Sequence, residues 1–165
     1  MKQYINYAET LKTTLPNLES EKELAFDDEW NTVGWWDDNC FQKGKLDVFE
    51  KQDNRAIIVD HKTGKYSSYS LENYLGEMRY FSLLTMKADP EIDKIKTVIT
   101  WLQNDSTPTT RIYTRDDVVK IENEFENKIN IIEQAVDNET FQCKPSGLCS
   151  YCGKMDCKYR KERKK

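Results

Sequence analysis

The chain has 165 residues, a size that fits one domain, with 38% hydrophobic and 33% charged residues. No apolar run reaches bilayer length and the opening MKQYINYAET is too polar for a secretory leader, so a soluble, intracellular protein is expected, with its five cysteines as thiols or metal ligands rather than disulfides. A net charge of −4 excludes coating nucleic acid by bulk charge, although residues 19–38 are acid-rich and the closing KYRKERKK is basic enough to touch a phosphate backbone, or else is a frayed solubilising end.

Tyr4, Ile5, Tyr7, Ala8, Leu11 and Leu15 recur near helical spacing and predict a helix over 3–15, stopped by Pro16. EKELAF (21–26) predicts a strand, followed by the acidic, tryptophan-rich loop DDEWNTVGWWDDN. FQKGKLDVFE (41–50) and RAIIVDHK (55–62) predict two strands joined as a hairpin through the turn KQDN. TGKYSSYS reads as loop, with Ser70 capping a helix over 71–87 whose Leu71, Tyr74, Leu75, Met78 and Phe81 face inward. KIKTVITWLQ (94–103) predicts a strand and TTRIYT (109–114) its hairpin partner. Thr114 and Asp117 form a capping-box pattern ahead of a helix with Val118, Ile121, Phe125, Ile129, Ile132 and Val136 on one stripe. A cysteine-rich loop follows, and neither internal repeats nor low-complexity linkers are visible. The order of helix, three strands, helix, two strands and helix predicts an α/β fold of one sheet with flanking helices.

The stretch IIVDHKTGK (57–65) carries the chemistry. Residues two apart on a strand share a face, so Ile58, Asp60 and Lys62 point one way, and Ile57, Val59 and His61 the other. On the preceding strand Leu46 and Val48 face oppositely to Asp47, and a hairpin closed through KQDN brings Asp47 beside Asp60. Two carboxylates converging at the end of an apolar sheet repel unless a cation lies between them. Oxygen ligands of this kind suit Mg²⁺ or Mn²⁺. A neighbouring ammonium would steer a phosphate or help deprotonate a water, which makes phosphodiester hydrolysis the expected chemistry. The plain alternative is an Asp–Lys ion pair on an exposed strand end, because D-x-K alone is a short pattern.

GKLDVFEKQDNRAIIVDHKTGK (44–65) resembles the metal-binding hairpin of the PD-(D/E)XK nucleases, RecB-type exonuclease branch, which reads G-x-x-D, an apolar strand, then D-x-K-T-G. Gly44, Asp47, Asp60, Lys62, Thr63 and Gly64 match. EMRYFSLL stands where that branch carries a Gln-containing helix motif, with Glu77 in the Gln place. YTRDDV and FQCKPSGLCSYCGKMDC resemble the downstream helix start and the cysteine-bearing close of phage members, so that the likeness spans residues 20–158. It implies a restriction-endonuclease-like core, with a mixed central sheet flanked by helices, over residues 1–158, followed by a basic tail at 159–165. It further implies a metal-dependent DNA nuclease, an exonuclease in mode, in the cytoplasm of a bacterial host or phage-infected cell. Asp47 and Asp60 would be metal ligands together with the backbone carbonyl of His61, and Lys62 would position or activate the attacking water. Glu77 would help hold the DNA or the lysine, while the His61 side chain faces away.

Family members usually begin with a helix whose His or Glu completes the metal shell, and residues 3–15 look like the second helix of such a member. Three readings stay open: a second polypeptide supplies that helix, the chain is an inactive nuclease-fold module that binds nucleic acid or protein, or a local Glu (Glu9, Glu21 or Glu23) does the job. Cys143, Cys149, Cys152 and Cys157 lie in one short stretch that suits a tetrahedral Zn²⁺ site or a 4Fe–4S cluster, with free thiols as the alternative. Cluster-bearing members use three C-terminal cysteines and one far upstream; Cys149, Cys152 and Cys157 resemble the trio, with Cys143 or Cys40 as the fourth. Such a centre would be structural, pinning the tail to the sheet, and a small zinc-binding regulator is a further reading. Trp30, Trp35, Trp36 and Phe41 are candidates for stacking on unpaired bases or for packing.

Overall fold

A computed structural model of the chain describes residues 9–103, 108–141 and 143–160. Helical residues 9–14 (α1) lead into strands Glu19–Phe26 (β1), Gln42–Gln52 (β2) and Arg55–Lys62 (β3). Helix Ser68–Ala88 (α2), strands Lys94–Trp101 (β4) and Thr109–Thr114 (β5), and helix Val118–Asp137 (α3) complete the order. The rest of the helix expected over 3–15 lies outside the described residues. The expected α/β fold is what forms: a five-stranded mixed sheet in the order β1-β2-β3-β4-β5. Only β3 and β4 run parallel, and α2 connects them as a crossover.

The period-two pattern of β3 sorts the core into two layers. Ala56 and Ile58 join Leu46, Ile95, Ile99 and the α2 residues Leu75, Met78, Phe81 and Leu84. Val59 and, less deeply, Ile57 join Val48, Val98, Leu11, Leu15 and Leu18 on the opposite side. The hairpin between β2 and β3 is tighter than expected, because pairing runs to Gln52–Arg55 and leaves Asp53 and Asn54 as the turn. Asp53 accordingly takes a positive φ of 54°.

Two helices depart from expectation. α2 starts at Ser68 rather than at Leu71, with Ser67 extended as its N-cap. Leu71 already packs against the core, so the helix must be wound before it, and nothing in Ser-Tyr-Ser prevents this. The apolar stripe of α3 is buried only at Val118 and Ile121, with Phe125 packed beside them, whereas Ile132 is 63% and Val136 56% exposed. The described chain divides into two compact units, Met1–Glu126 and Asn127–Lys165. The first unit holds the whole sheet. The expected cap is present: the Asp117 carboxylate accepts from the Thr114 N–H at 2.8 Å and from its hydroxyl at 2.9 Å. Next to it, the Arg115 guanidinium donates to the carbonyls of Met86, Asp89, Pro90 and Ile92, satisfying the end of α2 and the turn into β4.

Gly44 on β2 is where α2 lies on the sheet. A Cβ there would stand 2.7 Å from Leu84 Cδ1 and 3.1 Å from Phe81 Cε1. Replacing Gly44 by Val therefore overpacks the joint, and the loss expected is about 1–3 kcal/mol. Urea unfolding of Gly44→Val should show a lower midpoint at unchanged slope.

Candidate metal centre

β2 keeps company with β1 from Gln42 to Phe49 but with β3 only from Val48 onward. The strands part at Asp47. Leu46 belongs to the core layer under α2 while Val48, two residues on, belongs to the opposite layer. The expectation that both face the same way fails here, because the strand turns over between them. Its partner position on β1 shows the same disturbance: Glu21 has a positive φ of 56° and the pairing skips it. Freed from the regular alternation, Asp47 uses its carboxylate as a substitute for the ladder. Its Oδ2 accepts from the His61 backbone N–H at 2.8 Å.

Asp60 and Lys62 share the α2 side of β3, as their spacing requires. Lys62 Nζ stands 3.0 Å from Asp60 Oδ2 and 2.7 Å from Glu77 Oε2. Asp60 is only 5% exposed. Burial is the main cause that pushes its pKa up to about 6, with the charges of Asp47 and Glu77 adding to it and Lys62 opposing. Burial alone would lower Lys62, but its hydrogen bonds to Glu77 and Asp60 and their charges win, leaving it raised. His61 faces the other way, as expected. Its Nδ1 lies 2.8 Å from Thr100 Oγ1, and that hydroxyl donates to the Asp60 carbonyl at 3.3 Å. Burial pulls the imidazole below its ordinary value, against a smaller upward pull from Asp47.

Asp60 Oδ2 is buried and receives no directed hydrogen bond, although Lys62 Nζ is near it. A buried carboxylate paired with one ammonium, beside a second carboxylate, is a set that suits a hard divalent cation. No group of three His, Cys, Asp or Glu side chains gathers as a ready metal shell among the described residues. Glu21 and Glu23 are turned to Lys45, at 2.8 and 3.6 Å, and Glu9 is an exposed residue of α1.

Sequence reasoning overlooked Tyr74, which it counted as an inward core residue. Lys62 Nζ sits 4.6 Å from the centre of its ring. The signal was available, since Tyr74 and Glu77 lie three residues apart on one helix and so share a face. Tyr74 is held in turn by the edge of Trp101, at 5.5 Å between ring centres.

Of the cysteines, Cys149 sits in a 3₁₀ turn over Gly147–Tyr151 and accepts at Sγ from the Ser146 N–H at 3.1 Å. Desolvation, then the nearby Cys157 and Cys149, push the Cys143 thiol up. Cys40 lies between β1 and β2, with its thiol 3.9 Å from the Gln42 carbonyl. Among the aromatics of the β1–β2 loop, Trp30 packs edge-on against Phe26, whereas Trp36 is 87% exposed and Lys43 Nζ lies over its ring at 4.9 Å. No helix among the described residues is long and apolar enough to cross a membrane.

No curated protein matches this sequence. The chain is similar to the crystal structure of SSO0001, at 14% identity and a TM-score of 0.43, over 81% of this chain and 57% of that one. It thus spans less than two thirds of that protein's length. The family described as the PD-(D/E)XK nuclease superfamily matches residues 3–157, a range that takes in the parted hairpin, the helix facing it and the C-terminal cysteines. With that match over nearly its whole length, and a mixed sheet with flanking helices to go with it, the chain belongs to the PD-(D/E)XK nuclease superfamily.

Proposed function

We propose that the chain is a metal-dependent deoxyribonuclease, an exonuclease in mode, that hydrolyses phosphodiester bonds at the parting of β2 and β3. The observation that carries this reading is the buried Asp60 carboxylate, ion-paired with Lys62 and lying beside the charge of Asp47. Asp47, Asp60 and the His61 carbonyl would hold Mg²⁺ or Mn²⁺. When bound, such an ion polarises the scissile phosphate and acidifies the attacking water. Lys62 is a charged donor rather than a free base here, because Glu77 and Asp60 hold it protonated. Its role is to orient the water and to neutralise charge building on the phosphate. Glu77 fixes the ammonium from the helix side. The C-terminal cysteines would hold a structural 4Fe–4S cluster or Zn²⁺.

The direct test incubates the pure chain with end-labelled single- and double-stranded DNA and Mn²⁺. Asp47→Ala, Asp60→Ala and Lys62→Ala should each lose about a hundred-fold or more of the cleavage rate, with EDTA abolishing it in the parent. Cleavage that survives Asp60→Ala would remove the site from the reaction. Cleavage that begins only when a second polypeptide is added would assign the missing ligand to that partner.

A second measurement needs no substrate. A carboxylate whose folded pKa is raised binds its proton more readily when folded, so stability is present at low pH and is lost as pH rises from the ordinary value near 3.8 through about 6. In EDTA, the stability of Asp60→Asn relative to the parent should therefore grow by up to about 3 kcal/mol between pH 4 and pH 7. Urea unfolding at several pH values measures it. Mg²⁺ or Mn²⁺ at pH 7 should then raise the melting temperature of the parent and leave Asp60→Asn unmoved.

A further inference from the structure

We propose that Tyr74 is a positioning residue: its ring face, with Glu77, forms the seat in which the Lys62 ammonium stays while Asp60 gives its oxygens to a cation. The inference rests on the nuclease reading above. Lys62 has three neighbours around Nζ: Asp60 at 3.0 Å, Glu77 at 2.7 Å and the Tyr74 ring at 4.6 Å. Only Asp60 is also a proposed ligand. Once its charge is shared with a cation, its hold on the lysine weakens. Tyr74 and Glu77 are independent of that event, because both belong to α2.

The ring is braced for such a task. Trp101 meets it edge-on at 69°, and Trp101 is itself 4% exposed and pairs with Lys62 across the β3–β4 ladder. Tyr66 also packs against Trp101, at 5.2 Å and 86°. An apolar helix residue would fill the same space without attracting a cation. A lysine stem is flexible, with four carbons and three rotatable donors, and needs fixing if the charge is to stand at one place. The Lys62 side chain is only 17% exposed, so the ring quadrupole acts with little screening by water. The contact uses the ring face, and the phenolic hydroxyl has no part in it.

The test compares the full chain with Tyr74→Phe, which keeps the face, and Tyr74→Leu, which removes it. The first readout is the NMR shift of the Lys62 ε-methylene, assigned by its absence in Lys62→Arg. It should be displaced upfield by the ring in the parent and in Tyr74→Phe, and return to the ordinary lysine position in Tyr74→Leu. The second is Mn²⁺-dependent DNA cleavage, in which Tyr74→Leu should lower kcat about ten-fold at unchanged KM, and Tyr74→Phe should stay within about two-fold of the parent. Should Tyr74→Leu fail to fold, Tyr74→Met is read in its place. The seat is overturned by an unshifted Lys62 in the parent, by Tyr74→Leu turning over at the parental rate, or by Tyr74→Phe being as impaired as Tyr74→Leu. A shifted Lys62 that responds to Tyr74→Leu, in a chain that cleaves no DNA either alone or with an added second polypeptide, upholds the seat and overturns the nuclease reading instead.

Discussion

Everything at the candidate centre depends on placing the Asp60 carboxylate where water hardly reaches. A buried charge is costly, and one ammonium only partly offsets it. Lys62 lies close to both Asp60 oxygens, yet Oδ2 is left without a directed donor. A fold selected for stability alone would have an apolar residue here, since the other buried residues of β3 are Ala56, Ile58 and Val59. The sheet instead keeps a buried carboxylate near the end of its central strand. Strain of that kind persists where the surrounding structure enforces it, and it is usually tied to function.

What enforces it is the parting of β2 from β3. A regular hairpin would carry the ladder past Asp47 and Asp60 and saturate the backbone there. By turning over at Asp47, β2 releases the His61 N–H from strand pairing, and the Asp47 carboxylate takes it up. One acidic side chain thus satisfies the backbone and stays near Asp60 at the same time. The cost falls on β1, where Glu21 adopts a left-handed backbone that a non-glycine residue rarely takes. The Glu21 side chain is paired with Lys45 at the surface, at 2.8 Å.

Much of this was legible in the sequence. Alternation along IIVDHK put Asp60 and Lys62 together and His61 opposite, and the bond from His61 to Thr100 bears that out. Apolar runs and turn residues gave the sheet, the hairpins and the helices that cross it. The turn-over at Asp47 was not legible, because no glycine, proline or change of pattern marks Glu21 or Asp47. Its cause is the divergence of strands, a tertiary effect that local propensity does not record. The exposure of Ile132 and Val136 was hidden for a related reason. Helical periodicity reports which side chains share a face, and leaves open which of them a neighbour covers. The cysteines were legible as a group, but spacing alone does not set the positions of their sulfurs.

The last link is the single helix that serves both stability and chemistry. Tyr74, Glu77, Phe81 and Leu84 fall at spacings of three, four and three, which makes one stripe on α2. Phe81 and Leu84 at its lower end meet Gly44, where the absence of a side chain lets helix and strand approach. Tyr74 and Glu77 at its upper end meet Lys62. A rigid helix transmits the placement of one end to the other, so the closeness allowed by Gly44 also sets how near Glu77 and Tyr74 come to the lysine. The glycine of the G-x-x-D pattern and the lysine of D-x-K are then two contacts of one helix. That gives a physical reason for the two short patterns to occur together, where either alone would be weak evidence of a site.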